Sequence, residues 1–144
     1  MSVCIFCDIL AGTAPANFVY RDELCAAFMD IRPVNPGHVL VVPKTHVTLF
    51  AELDIEAVGR MFQVAQRIDT AVRACGIKCE GVNLFLADGR AAGQDVMHTH
   101  LHVIPRFDGD GHHLRFSPAY FSRTPPAELE KNAELIRKQM GGAA

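Results

Sequence analysis

The sequence carries no surplus of either charge: 14 Lys+Arg stand against 16 Asp+Glu, a net of −2 over 144 residues. Proteins that hold nucleic acid through its phosphates carry a basic excess, so DNA and RNA are not expected partners. Long apolar runs are missing as well. Val39-Leu40-Val41-Val42 is typical of the longest, against the ~20 residues a membrane helix needs. The opening MSVCIFCDIL has no basic region and is broken by Asp8, which speaks against a secretory signal. The five cysteines form no even set, and a chain of this length can bury a core without staples, so a disulfide framework is not expected. No linker, repeat or low-complexity tract divides the chain, so one domain over residues 1–144 is expected. At 49% hydrophobic and 21% charged residues, it reads as a soluble, globular, cytoplasmic protein.

What is present alternates between short strands and two separated helices. Cys4–Leu10 reads as a turn of helix stopped by Gly12, and Val19–Tyr20 and Leu24–Met29 as strands about the turn Arg21-Asp22-Glu23. Arg32-Pro33-Val34-Asn35-Pro36-Gly37 is dense in turn residues. The β-branched run His38–Val42 follows as a strand ended by Pro43. Ile55, Val58, Phe62, Ala65, Ile68, Val72 and Cys75 recur at spacings of three and four, which predicts a helix over Ile55–Cys75 with Asp54 as its N-cap. Gly81–Leu86 and Met97–Ile104 read as strands. A last helix starts at Thr124-Pro125, cap then N1 proline, with Leu129, Ala133, Ile136 and Met140 on one face. Strands in hairpins with segregated helices define an α+β class with an antiparallel sheet.

The informative stretch is Gly93-Gln94-Asp95-Val96-Met97-His98-Thr99-His100-Leu101-His102. In a strand, His98, His100 and His102 project to one face, and Thr99, Leu101 and Val103 to the other. Packing alone gives no reason for three imidazoles in a row. His98 and His102 stand about 13 Å apart along an extended strand, so one tetrahedral ion does not take all three. Nucleophilic attack on phosphorus fits better, with the middle imidazole attacking and its neighbours supplying protons and charge. Gly89 and Gly93 would let backbone N–H groups approach a phosphate.

His98-Thr99-His100-Leu101-His102-Val103-Ile104 resembles the signature of the histidine triad (HIT) superfamily, with Thr99 in a usually apolar slot. Cys4-Ile5-Phe6-Cys7-Asp8-Ile9, Phe28-Met29-Asp30-Ile31, Pro36-Gly37-His38-Val39-Leu40-Val41-Val42-Pro43-Lys44 and Ala92-Gly93-Gln94 resemble HIT segments in the family's order. The likeness covers about residues 4–106, and residues 107–144 carry no motif of their own.

The resemblance implies a HIT-like α+β fold, a five-stranded antiparallel sheet with two main helices, dimerising into a continuous sheet. It implies a hydrolase acting at the α-phosphate of AMP-type nucleotides, either nucleoside phosphoramidates or dinucleoside polyphosphates. His100 would be the nucleophile, His102 would bond the phosphoryl oxygens, and His38 would orient or relay protons to the nucleophile. Asp30 would bind the ribose hydroxyls. Ile5, Phe6, Ile9, Phe28 and Ile31 would wall the base pocket, with Gln94 and Val96 also at the substrate. Some branches hold a structural zinc on residues matching Cys4, Cys7, His46 and His98, a closed Cys₂His₂ set; Cys4, Cys7, Cys75 and Cys79 form an alternative set. No organic cofactor is implied.

The chain also departs from its relatives. Ala87 stands where they carry Asn or Gln, with Asn83 or Asp88 as possible substitutes, and Asp95 replaces a Ser or Thr of the Hint and Fhit branches. An anion beside a phosphate repels unless it turns away, so Asp95 is not expected as a phosphate ligand. Arg106 either favours an anionic leaving portion or caps a loop. Two further readings stay open: a nucleotide-binding regulator with little turnover, and a zinc hydrolase using the histidines as catalytic ligands.

Overall fold

The computed structural model describes residues 4–141, which form two compact units, the first ending at His112 and the second beginning at His113. In the first unit the elements run α1 (Ile5–Ala11), β1 (Phe18–Arg21), β2 (Cys25–Met29), β3 (Val39–Pro43), α2 (Ile55–Ala74), β4 (Gly81–Phe85) and β5 (Leu101–Arg106). Single 3-10 turns lie at Phe50–Glu52 and Arg90–Ala92. The strands make one sheet in the order β1-β2-β3-β5-β4, every neighbouring pair antiparallel. This is the five-stranded α+β arrangement expected.

β3 is the middle strand and all five of its residues are buried, which explains its unbroken apolar run. On one face, Ala27, Val39, Val41, Leu101 and Val103 pack against Met61, Val64, Ala65, Ile68 and Val72 of α2. On the other, Phe28, Leu40 and Val42 pack against Phe6 and Ile9 of α1. His102 pairs with Leu40 across the β3–β5 ladder and alternates with Leu101 and Val103, so it lies on the α1 side.

Asp54 caps α2, accepting a hydrogen bond from Glu56 N at 2.9 Å. The buried stripe of this helix differs from the expected one in its first half. Ala57, Met61 and Val64 face the sheet, while Ile55 is 83% exposed and Phe62 42% exposed. Both stripes obey spacings of three and four, so periodicity alone does not choose the phase. From Ala65 through Val72 the two coincide, and Cys75 lies exposed just past the last turn. α1 ends in Gly12 at φ +80°, whose N–H bonds Asp8 O and Ile9 O.

The histidine strand is shorter than expected. β5 starts at Leu101, not Met97, so His98 and His100 precede it. β3 stops at Pro43, whose N lacks a hydrogen to continue a ladder. The chain beyond β3 then swings so that Val47 O accepts the Thr99 N–H at 2.8 Å. Alternation therefore governs His102 alone, and the other two histidines are aimed by separate contacts.

In the second unit a 3-10 turn at Pro118–Phe121 precedes α3 (Pro126–Gln139). Pro125 occupies the N-cap and Pro126 the first helical position, one residue later than the Thr124-Pro125 reading. Leu129, Ile136 and Met140 are exposed, and no residue of α3 is buried. No helix among the described residues is long and apolar enough to cross a membrane.

Candidate active site and metal centre

A cleft of about 750 Å³ opens on the α1 side of the sheet. Phe6, Ile9 and Phe28 form its buried apolar wall; Ile5 and the outward Ile31 border it, and Val96 also lines it. The polar groups that converge there are Asp30, His38, His100, His102 and, with Arg32 beside it, Asp95. Phe6 meets the His100 ring edge-on, centroids 5.0 Å apart, and so fixes its plane.

Backbone groups settle the tautomer of each imidazole. His100 Nδ1 lies 2.8 Å from His98 O. A carbonyl only accepts, so Nδ1 carries the hydrogen and the Nε2 lone pair is free. Val34 N–H donates to His38 Nδ1 at 3.1 Å. His38 therefore carries its hydrogen on Nε2, which donates to His102 Nδ1 at 2.9 Å. His102 in turn holds its own hydrogen on Nε2. His102 packs against His100 with ring centroids 4.8 Å apart. His38 thus touches the third histidine, with Asp30 Oδ2 at 3.6 Å from its Nε2. Burial, reinforced by His100 and His38, pushes the His102 pKa down to about 4. Burial also lowers His38, against the opposing pull of Asp30. Both rings are neutral at pH 7, as these tautomers require.

The loop that carries His38 is rigidly held. Gly37 has φ +89°, and a Cβ there would stand 3.1 Å from Ile77 Cδ1 and 3.2 Å from Pro105 Cγ. Buried Asn35 donates from Nδ2 to Pro105 O at 2.9 Å and to Asp110 Oδ2 at 2.8 Å. Asn35 O accepts from His38 N at 3.2 Å.

Cys4, Cys7 and His46, far from the nucleophile in sequence, join His98, two residues before it, and the four bring their ligand atoms within 4.8 Å of one another. His98 Nδ1 is 3.4 Å from Cys4 Sγ and 3.6 Å from Cys7 Sγ; His46 Nδ1 is 3.3 Å from Cys7 Sγ. Around tetrahedral zinc, sulfur and nitrogen ligands stand about 3.5 Å apart. His98 Nε2 donates to Pro43 O at 2.9 Å, which leaves the Nδ1 lone pair facing the two sulfurs. The donor set and its second shell fit zinc. Cys75 and Cys79 are not among these ligands.

Several expected site residues serve elsewhere. Gln94 does not line the cleft. Its Oε1 accepts from Gly89 N, and its Nε2 donates to Thr48 O and Val96 O, so its amide is consumed in joining three loop segments. Gly89 N–H is thereby used, and Gly93 N–H bonds Arg90 O. Neither points a free donor at a phosphate. Asn83 accepts from Arg106, and Asp88 accepts from Phe50 N, so neither replaces the amide missing at buried Ala87. Arg106 holds Asp110 through Nε at 2.6 Å and Nη2 at 2.9 Å, so it caps the loop after β5. Asn35 escaped the sequence reading, and Asp95 was set aside by it. Asn35 looked like one turn former among several, and only its burial reveals it. Asp95 does not turn away: its Oδ1 lies 3.8 Å from His100 Nε2.

With this geometry in place, the comparisons with known proteins become specific. The HIT domain family matches residues 11–109, well over half of the chain. The "Protein hit" of Bacillus subtilis (strain 168) is 43% identical over 141 residues, covering 97% of this chain and 96% of that one. A Zn-bound histidine triad family protein from Mycobacterium smegmatis superposes with a TM-score of 0.74 at 39% identity, covering 99% and 98% of the two chains. An Arabidopsis thaliana relative named Adenylylsulfatase HINT3 is 37% identical over 108 residues, 74% of this chain and 54% of that one. The chain belongs to the histidine triad (HIT) family, and its likeness extends to a zinc-bound member.

Proposed function

We propose that the protein hydrolyses AMP-type nucleotides at the α-phosphate through a covalent nucleotidyl-histidine intermediate on His100. The observation that carries this reading is the Nδ1–H to His98 O bond, which leaves the Nε2 lone pair of a buried imidazole at the floor of the cleft. That lone pair forms the N–P bond, and the leaving group departs with its former bonding pair. Water then attacks phosphorus, the N–P pair returns to Nε2, and the nucleotide is released. His102, held with its hydrogen on Nε2 by His38, donates to the phosphoryl oxygens as negative charge builds on them. Asp30 accepts from the ribose hydroxyls, and the base lies against Ile5, Phe6, Ile9, Phe28 and Ile31, with Val96 at the phosphate end. The Arabidopsis relative's name supports an adenylyl substrate.

Cys4, Cys7, His46 and His98 would hold a zinc ion that would supply no chemistry, since four protein ligands would leave it no open position, and it would tie the N-terminal turn to the segment that carries His100. The protein works as a homodimer in the cytoplasm, without nucleic-acid or membrane partners. Buried Ala87, with no nearby amide replacing the usual Asn or Gln, favours a second reading: a nucleotide-binding regulator with little turnover.

Intact-mass spectrometry during turnover separates the two. Wild type given adenosine 5′-phosphoramidate accumulates an adenylyl adduct and releases AMP, and His100→Ala does neither. AMP binding without turnover or adduct on any adenylyl substrate overturns the hydrolase reading and leaves the regulator.

A further inference from the structure

Two groups of adenylyl substrate differ in one physical respect. When a phosphoramidate is cleaved, the departing nitrogen keeps its N–H donors and gains positive charge as it is protonated. When a polyphosphate or sulfate ester is cleaved, the departing oxygen gains negative charge and is followed by a further anion. A fixed charge next to the attacking nitrogen discriminates between them by sign alone.

Such a charge is present. Asp95 Oδ1 sits 3.8 Å from His100 Nε2, and both residues line the cleft. The carboxylate is held by the Val96 N–H, which donates to Oδ1 at 2.9 Å. Its cationic neighbour, Arg32, stands 3.9 Å from Oδ2, with the Arg32 side chain 85% and the Asp95 side chain 64% exposed, so solvent weakens that pair and Asp95 keeps a partly screened negative charge at the cleft. No Lys or Arg other than Arg32 lines the cleft among the described residues.

We propose that Asp95 is a specificity-determining residue that directs the enzyme toward nucleoside phosphoramidates with amine leaving groups and against polyphosphate or sulfate leaving groups. The proposal rests on the hydrolase reading above and deepens it. Repulsion between Asp95 and the α-phosphate oxygens is common to all these substrates and cancels from their ratio; the charge of the leaving group does not. In the favoured reaction the His100 Nε2 lone pair forms the new N–P bond. The P–N bond of the N-protonated substrate breaks with its pair going to nitrogen, and the amine leaves with the proton it already holds, accepting Asp95 as hydrogen-bond partner.

The test compares kcat/KM for adenosine 5′-phosphoramidate, diadenosine tetraphosphate and adenosine 5′-phosphosulfate in wild type, Asp95→Asn and Asp95→Ser. Asp95→Asn keeps the acceptor for Val96 N–H and removes only the charge. Wild type is expected to favour the phosphoramidate, and both variants to lower its ratio to either anionic substrate by up to about fivefold, the size of a unit-charge interaction near 4 Å in water, since the leaving atom lies across phosphorus from His100 Nε2. Raising salt shrinks the wild-type ratio and leaves that of the variants unchanged. A ratio unmoved by both substitutions, with turnover intact, overturns the role of Asp95 and leaves the hydrolase standing. Absence of turnover on all three substrates in wild type removes the hydrolase reading, and the specificity proposal with it.

Discussion

His38 Nε2 and His102 Nδ1 share one hydrogen across 2.9 Å, and the Val34 N–H at His38 Nδ1 decides which of them owns it. A backbone donor in a turn thus sets the tautomer of an imidazole 68 positions further along the chain. Residue 102 presents an N–H to the cleft because residue 34 presents one to residue 38. The turn owes its shape to Gly37, where positive φ and the nearness of Ile77 and Pro105 both exclude a side chain.

Breaking that relay leaves the His102 hydrogen free to settle on either nitrogen. His38→Ala is expected to lower kcat for adenosine phosphoramidate by about 100-fold, the usual size of a misplaced proton donor, with a smaller change in KM. His38→Gln keeps an amide N–H directed at His102 and recovers part of the loss. Equal defects in the two variants would show that His38 acts by filling space and not by donating.

The pH dependence of stability has a definite sign. The unfolded His102 titrates near 6.5 and the folded one at about 4, because its ring is buried beside His100 and His38. Between those values the unfolded chain binds more protons than the folded one, so stability is full above pH 6.5 and falls as pH drops toward 4. The slope from this one group is at most about 1.4 kcal/mol per pH unit, and His38 adds in the same direction. Urea unfolding at pH 7.5, 6 and 5 is expected to show it, with a shallower slope in His102→Gln. Parallel slopes in the two proteins would remove His102 from the account.

Asn35 couples the same turn to the loop after β5. Arg106, with help from backbone N–H groups and Asn35, holds the Asp110 carboxyl well below the ordinary carboxylate range. Asn35→Ala leaves Pro105 O without its donor and Asp110 Oδ2 with one fewer, and is expected to cost about 1–3 kcal/mol in urea unfolding. Because these side-chain bonds hold the turn that carries His38, turnover should fall along with stability. Asp110→Asn, which spares the bond from Asn35 to Pro105 O, should lower stability while affecting turnover less.

The positions of the cleft residues were readable from sequence to unequal depth. Phe28, Asp30 and His38 sit at the ends of strands whose β-branched and apolar runs mark them plainly, and the resemblance grouped Cys4, Cys7, His46 and His98 although strands and a helix separate them in the chain. Periodicity failed where two phases were equally regular, as between Ile55 and Ala57 in α2. The start of β5 was misplaced because the apolar-polar alternation of Met97–Ile104 continues past the point where β3 has ended and no partner strand remains. Gln94 lies in a motif shared with relatives, yet its hydrogen bonds go to Gly89, Thr48 and Val96, partners that no local pattern announces. Asp95 carried a correct physical objection, anion against phosphate, but the direction of its side chain is a tertiary fact.

The metal centre links folding to the site. His98 takes part in both: its Nδ1 faces Cys4 and Cys7, while its carbonyl holds His100 Nδ1. If zinc joins the N-terminal turn to this segment, its loss frees α1, which covers Phe28, Leu40 and Val42. A chelator should lower the melting temperature of wild type by about 10 °C, corresponding to roughly 2 kcal/mol for a unit of this size. Cys7→Ser should start from the lower value and show no further drop on chelation, with zinc content falling from one ion per chain toward none. A melting temperature indifferent to chelation in wild type, with no metal in the purified protein, would mean that the four side chains hold one another through S–H and imidazole contacts alone. In that case His98→Asn should perturb His100 turnover no more than it perturbs stability, because its carbonyl, unlike its ring, is kept by the substitution.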